Sequence, residues 1–215
     1  MQKALDLYLI RSRGSRYILF GPTDLIQECE LQSGDRVRRF ILWLMGKKNR
    51  VVAALGRVLK SAHEYYIKLE DRLDPGERVL KAIVGSSELV VYHGPLLSEN
   101  EARSRFTALL RRQRLKHTFW LVLDAVFAPF TLLLAPVPGP NVIGYYPLLR
   151  LLSHYRAARG ATSAMGSMSV QFKSLPDLSS LEENLQAPRF DRVAVQGLME
   201  RLQIQGLDQF LERMV

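Results

Sequence analysis

Alternating apolar and polar residues predict strands near the start of the chain. Two strand-like runs, residues 5–11 and 16–20, flank Gly14 and predict a β-hairpin. A later run, "SELVVYHG", predicts one further strand over residues 87–93. The pattern therefore predicts a small β element that begins with an N-terminal hairpin.

Helical spacing accounts for most of the remaining chain. Residues 35–73 carry apolar residues three and four positions apart, and the "GKKN" step at 46–49 divides them into two helices. A short helix follows Asp74, which has the features of an N-cap. Ser98 and Glu101 form a capping-box pair, from which a helix runs into a long apolar segment. We therefore predict an α+β fold that is mainly helical.

The C-terminal part of the chain is predicted to be less regular. Residues 161–185 are mostly small and polar, which is typical of a linker. Residues 186–215 indicate two short amphipathic helices separated near Gly206. The chain is thus divided into an α+β domain at 1–160, which includes an apolar hairpin at 117–152, then the linker and a C-terminal helical tail.

The segment from Phe119 to Ala135 is the most apolar part of the sequence. Of its 17 residues only Asp124, Pro129 and Thr131 are not apolar. As a helix it would be about 26 Å long, at the low edge for a bilayer core, which takes about 20 residues. A charged Asp124 that faced lipid would cost roughly 2.5–3.5 kcal/mol. A single membrane span is therefore marginal.

Basic residues flank this segment on both sides. Those before it are Arg103, Arg105, Arg111, Arg112, Arg114 and Lys116, and those after it are Arg150, Arg156 and Arg159. A single span is expected to show an asymmetry of basic residues across the membrane. Two basic flanks therefore favour a hairpin whose ends return to one side. The alternative is a soluble helical hairpin in a core, with the basic residues on solvated faces.

The tract "APVPGP" supplies a turn for such a hairpin. Pro136, Pro138 and Pro140 remove helix donors and bias the residues before them toward extended backbone. Non-helical backbone at membrane depth must be covered by protein or water. A shallow, protein-covered hairpin is therefore favoured over a deep and bare one.

The stretch "PFTLLLAPVPGPNVIGYYPLLRLLSHYRAARG" resembles the signature of the mitochondrial K+/H+ exchange-related family, in its bacterial-type form. The "SHYRA" pattern is its most specific part, and the resemblance covers about residues 74–160. The matching residues are Pro129, Thr131, Pro136, Pro138, Asn141, Tyr145, Tyr146, Arg150, Ser153, His154, Tyr155 and Gly160, with His117 ahead of them. The resemblance implies a membrane-associated protein linked to monovalent cation–proton exchange, at the cytoplasmic face in bacteria or at the mitochondrial inner membrane. It defines no catalytic residues.

The net charge of +9 calls for an anionic partner or a solvated basic surface. Candidates for lipid or anion contact are Arg111, Arg112, Arg114, Arg150, Arg156 and Arg159. These residues cluster around the apolar segment and lack the aromatic-and-glycine pattern of nucleic-acid recognition modules. Charge and position together favour a membrane surface or anionic lipid over nucleic acid.

Two titratable residues are candidates for an ion or proton site. Asp124 is the only acid in the apolar segment, and acids at membrane depth are candidate functional groups. His154 can titrate near neutral pH. The alternative for each is structural: an ion pair or a helix cap for Asp124, and a hydrogen bond to Ser153 or to backbone for His154.

No motif for catalysis, a cofactor or a metal is recognisable in the sequence. "HEYY" at His63 lacks the second histidine of a metalloprotease motif. The single Cys29 excludes an intramolecular disulfide and a cysteine-based zinc site. We therefore expect a protein that is not an enzyme.

Two functions remain open. The first is a membrane-associated protein that modulates or takes part in K+/H+ exchange. One apolar hairpin cannot enclose an ion path, so such a protein needs a membrane-protein partner or a homo-oligomer. The second is a soluble adaptor whose hairpin lies in its core or docks a partner protein.

Overall fold

A computed structural model describes residues 4–12, 16–27, 75–133, 142–187 and 191–212, together with a few single positions between 29 and 60. The strands are β1 (Ala4–Arg11), β2 (Tyr17–Phe20), β3 (Glu88–His93) and β4 (Ser169–Ser174). The helices whose bounds fall within these ranges are α1 (Pro75–Ile83), α2 (Glu99–Leu133), α3 (Val142–Gly166), α4 (Asp177–Gln186), α5 (Arg192–Leu202) and α6 (Leu207–Glu212). The α+β class with helix in excess is confirmed.

The four strands form one sheet in the order β2-β1-β3-β4. β1 and β2 are the predicted N-terminal hairpin and pair antiparallel, with Tyr8 opposite Phe20. β3 is the predicted third strand and pairs parallel with both β1 and β4. The hairpin and the third strand are thus confirmed, and β4 is an addition.

Helices cover both faces of the sheet, so the described residues form two hydrophobic cores. Leu5, Leu7 and Leu9 of β1 are fully buried against the layer of α1, α2 and α3. Tyr8 and Ile10 point to the other face, where they meet α4, α5 and α6. Burial on both faces explains why β1 is almost continuously apolar.

The N-terminal cap of α2 has the predicted capping-box geometry. The Ser98 hydroxyl donates to Glu101 Oε2 at 2.7 Å, and the Ser98 backbone N–H donates to the same oxygen at 3.0 Å. In return the Glu101 backbone N–H donates to Ser98 Oγ at 3.3 Å. The cap satisfies helix N–H groups that would otherwise have no partner in the helix.

α3 packs closely on α1 and α2 because its inner face is built from small residues. Ala157, Gly160, Ala161 and Ala164 are all buried. A Cβ on Gly160 would overlap the backbone carbonyl oxygen of Leu80. The helix therefore needs glycine at this position for the two backbones to approach so closely.

Residues 161–185 are regular structure rather than the predicted linker. They form the end of α3, then β4, then most of α4. Small residues in this stretch line a tight helix contact, and β4 is a largely exposed edge strand with few large apolar side chains. Low hydrophobicity here reflects close packing and edge position, which composition alone does not distinguish from a flexible linker.

The C-terminal tail consists of two short helices, as predicted. α5 ends before Gln203, which has a positive φ of 52°, and Gly206 precedes α6 with a φ of 82°. The positive φ at both positions turns the chain between the helices. The two helices predicted over residues 35–73 and the turn predicted around Pro136–Asn141 lie outside the described residues.

Candidate functional site

The polarity of α2 inverts along its length. In its first half the buried positions are apolar, as at Ala102, Phe106 and Leu110, and charged side chains point outward. From Leu115 onward most exposed positions are apolar, and Lys116 and Thr118 are the exceptions. We call these residues the outer apolar face: Leu115, Phe119, Trp120, Val122, Val126 and Phe127.

The outer apolar face follows helical spacing. Leu115, Phe119, Val122 and Val126 recur four, three and four residues apart, which places them in one stripe about 17 Å long. Phe119 is 64% exposed even though it is a large aromatic residue. On the neighbouring α3, Leu152 and Tyr155 are also exposed. A surface helix of a soluble protein normally turns its apolar stripe to the core and its polar face to solvent.

The inner side of the same helix region is polar. We call the buried and half-buried groups there the polar cluster, and they come from three helices: Glu77 and Lys81 of α1, His117 and Asp124 of α2, and Arg150, Ser153 and His154 of α3. The two residues of a pair on one helix lie on the same face, because spacings of four and seven residues correspond to about one and two helical turns. The cluster thus ties three helices together at one place.

Glu77 is held by two donors. Lys81 Nζ lies 3.2 Å from Glu77 Oε1, and the Ser153 hydroxyl donates to the same oxygen. Burial alone would raise the pKa of Glu77, but the Lys81 ammonium, the Ser153 hydroxyl and His117 outweigh it and hold the pKa below its usual value. Glu77 is therefore a carboxylate inside the cluster.

Hydrogen bonding assigns the protons of the two imidazoles. His117 Nδ1 and His154 Nδ1 are 3.0 Å apart, and Arg150 Nη2 is 3.0 Å from His154 Nε2. A guanidinium only donates hydrogen bonds, so Nε2 of His154 is the acceptor. A neutral His154 then carries its proton on Nδ1 and donates it to His117 Nδ1.

Asp124 lies beside Nε2 of His154, on the opposite side of the ring from His117. Its Oδ2 is 3.6 Å from His154 Nε2 and accepts no hydrogen bond from any residue that the structure describes. The pKa of His154 lies below its usual value, mainly because the ring is buried. The carboxylates of Glu77 and Asp124 raise this pKa, and the charges of Arg150 and His117 lower it further. The Trp120 ring stacks beside His154 with the ring centroids 6.5 Å apart, so it connects the polar cluster to the outer apolar face.

Three members of the polar cluster can act as metal ligands. Glu77, His117 and His154 are all buried, and one ligand atom from each lies within 4.8 Å of the other two. They offer two imidazole nitrogens and a carboxylate oxygen, the donor types that zinc-class ions use.

The structure brings together some of the sequence-predicted site residues and separates others. Asp124 and His154, the ion or proton candidates, lie side by side with Arg150 and Ser153. Arg111, Arg112 and Arg114 are exposed on α2, Arg159 is exposed on α3, and Arg156 is half-buried there. Pro136, Pro138 and Asn141 lie outside the described residues, and the side chains of Pro129 and Tyr146 are outside the described part as well.

Sequence reasoning did not identify Glu77 and Lys81 as site residues. A Glu–Lys pair four residues apart on a short helix has the pattern of an ordinary surface ion pair. Its burial depends on α3 packing across it through Ser153, 76 residues further along the chain. His117 was notable only through the family resemblance, and no local spacing connects it to the other two ligands.

The chain matches one known protein family. The chain is an α+β protein with a buried polar cluster, and the sequence model of the mitochondrial K+-H+ exchange-related family matches its residues 27–165. The match spans more than half of the chain, so the protein belongs to this family, as the resemblance predicts. No curated protein matches the chain. No solved structure matches it either.

Within the described residues, no helix combines enough length with enough apolar character to cross a membrane.

Proposed function

We propose that this protein works at an anionic membrane surface, without being an enzyme, and takes part in or modulates monovalent cation–proton exchange there. The observation that supports this most strongly is the outer apolar face. The family name, with its link to mitochondria and to K+-H+ exchange, supplies the process.

The outer apolar face is suited to contact with lipid. Exposed apolar patches that a chain keeps on its surface mark membrane or protein interaction sites. Burying one such Phe or Val side chain fully contributes roughly 1.5–3 kcal/mol. Several of them in one stripe supply enough free energy for stable binding to the surface of a bilayer.

Basic residues lie where lipid headgroups would be. Arg111, Arg112 and Arg114 are exposed within about one helical turn before Leu115. Each basic residue near an anionic leaflet contributes about 1 kcal/mol. Trp120 and Tyr155 are partly exposed on α2 and α3, and such aromatic residues favour the membrane–water interface. The basic residues and the positions of the aromatic side chains therefore fit a helix that lies in the membrane interface rather than one that spans the bilayer.

The role in exchange follows from the family and from a physical limit. One pair of helices cannot surround an ion path with polar groups at membrane depth. The protein therefore acts with a membrane-protein partner or as a homo-oligomer, and it supports exchange rather than forming a pore alone.

Vesicle binding tests the membrane part. The purified chain is expected to sediment with phosphatidylcholine vesicles that contain phosphatidylglycerol, and less with phosphatidylcholine alone. Replacing Phe119, Val122 and Val126 by Ser removes apolar burial and is expected to weaken binding at least 10-fold. Replacing Arg111, Arg112 and Arg114 by Glu is expected to weaken it on the order of 100-fold.

Matched control variants separate this face from exposed apolar residues in general. Leu96→Ser and Val193→Ser each change a residue that is 76% exposed and lies outside α2 and α3. They are expected to bind vesicles as the unchanged chain does. Equal binding by the Phe119, Val122 and Val126 variant would instead favour the adaptor alternative, in which the same face docks a protein.

A flux measurement tests the exchange part. In membranes that lack the protein, K+-driven proton flux is expected to fall and to return when the unchanged chain is supplied. The Phe119, Val122 and Val126 variant is expected to restore little flux, because it does not reach the membrane. Unaltered flux in the absence of the protein would contradict a role in exchange.

A further inference from the structure

We propose that Glu77, His117 and His154 form a binding site for one divalent transition-metal ion of the zinc class. This site is separate from the membrane surface proposed above and does not depend on that function. It lies where α1, α2 and α3 meet, and each helix supplies one ligand.

The ligand set has the composition of known zinc sites. Two imidazoles and one carboxylate are a ligand set that zinc accepts, with a further position for water or another group. The three side chains are 5%, 1% and 3% exposed for Glu77, His117 and His154. Lys81 and Ser153 hold Glu77 as a carboxylate, which is the form that ligates a metal ion.

The geometry is close to that of a loaded site. The two Nδ1 atoms are 3.0 Å apart, and the three ligand atoms lie within 4.8 Å of one another. Ligand atoms that share one zinc ion at about 2.0–2.2 Å are themselves separated by about 3–4 Å. Side-chain adjustments on the order of 1 Å would therefore bring all three atoms onto one ion.

The groups behind the ligands complete the arrangement. Lys81 and Ser153 both contact Oε1 of Glu77 and so fix the orientation of its carboxylate. A metal on His154 Nδ1 requires the ring proton to sit on Nε2, where Asp124 Oδ2 lies 3.6 Å away. A carboxylate behind a ligating histidine is a common feature of metal sites. This role accounts for a buried carboxylate oxygen that accepts no hydrogen bond from the described residues.

Arg150 sets a condition on metal binding. In the structure its guanidinium donates to His154 Nε2. It cannot do so once Nε2 carries a proton, because both groups would then be donors. Metal binding must therefore replace the Arg150 contact with the Asp124 contact. Arg150 is only half-buried, so its side chain can turn toward solvent.

Cobalt and zinc titrations of the purified full chain test the proposal. After removal of metal with a chelator, Co²⁺ is expected to bind with one ion per chain and to produce visible absorption bands of a low-coordinate site. Zn²⁺ is expected to displace it. Zn²⁺ is also expected to raise the unfolding temperature, since it binds the folded state, and a chelator should reverse the rise.

Ligand variants show which residues bind the ion. Glu77→Gln, His117→Gln and His154→Gln are each expected to weaken Co²⁺ binding at least 100-fold. Asp124→Asn is expected to keep one ion per chain and to weaken binding about 10–100-fold, as loss of an outer carboxylate does. The control is His93→Asn, which removes an equally buried imidazole outside the polar cluster. It is expected to leave the affinity unchanged.

X-ray absorption of the zinc-loaded unchanged chain gives a result that does not depend on whether variants fold. Two imidazole ligands and oxygen are expected around the ion. Absence of binding, a spectrum without imidazole ligands, or equal loss of affinity in His93→Asn would each overturn the proposal. In that case the polar cluster is a hydrogen-bonded contact between helices and holds no metal.

Discussion

At the residue scale, two buried glutamates on opposite faces of the sheet meet opposite electrostatic surroundings. Glu77 faces the Lys81 ammonium, and its pKa is held low. Glu182 of α4 accepts a hydrogen bond from the Arg11 backbone N–H at 2.9 Å and has no ammonium in contact among the described groups. Burial therefore raises the pKa of Glu182, and Arg11 and His93 only partly offset it.

The raised pKa of Glu182 predicts a pH dependence of stability. The folded state binds the Glu182 proton more tightly than the unfolded chain does, so this group stabilises the fold most below its unfolded pKa. Its contribution is lost as pH rises through the folded pKa. Glu182→Gln keeps an oxygen acceptor for Arg11 and removes the charge. Relative to the unchanged chain, the variant is expected to gain free energy of unfolding between about pH 5 and pH 8.

Urea unfolding of both chains at these two pH values measures that difference, and other titrating groups cancel in the comparison. A variant that is equally destabilised at both values would show that Glu182 acts through its hydrogen bond alone.

Single residues could be singled out from the sequence only where their local setting was unusual. Asp124 stood out because it is an acid in an apolar segment, and the structure places it beside His154. Glu77 did not stand out, since its local setting is that of a surface ion pair. Its position in the polar cluster is created by contacts distant in the sequence, which local patterns do not record.

At the scale of elements, the strands, the α2 cap and the two helices of the tail follow from local signals. Alternation predicted β1, β2 and β3, and the capping box at Ser98 predicted the start of α2. β4 was not predicted because an exposed edge strand buries little and four of the six residues in its sequence, "SVQFKS", are polar. Its position depends on pairing with β3, which is a tertiary effect.

The contact between α1 and α3 predicts a strong effect of one methyl group. Gly160→Ala would place a Cβ against the Leu80 carbonyl oxygen, which belongs to backbone and cannot move aside easily. We expect the free energy of unfolding to fall by about 2 kcal/mol or more. Chemical denaturation measures this change.

The matched control for this prediction is Gly197→Ala on α5. A Cβ at Gly197 meets nothing within 4 Å, so the change is expected to stabilise the helix by up to about 1 kcal/mol. If both variants have the same stability, the close approach of α1 and α3 is not a constraint on the fold.

At the scale of the whole molecule, the α2–α3 pair carries two surfaces of opposite character. The polar cluster faces inward to α1, and the outer apolar face is exposed. This arrangement is the reverse of that in a soluble helix pair. The sequence indicated an apolar segment with a central acid, but it could not show which side each residue would occupy.

Trp120 belongs to the outer apolar face and reports directly on whether that face contacts lipid. The chain has two tryptophans, Trp43 and Trp120, and Trp43→Phe leaves Trp120 as the only one. Trp120 is 39% exposed beside the stripe, so its emission reports on the surrounding solvent.

With vesicles that contain phosphatidylglycerol, the emission of Trp120 is expected to shift to shorter wavelength and to be quenched by lipids brominated on their acyl chains. Unchanged emission and no quenching at saturating lipid would contradict contact between this face and lipid.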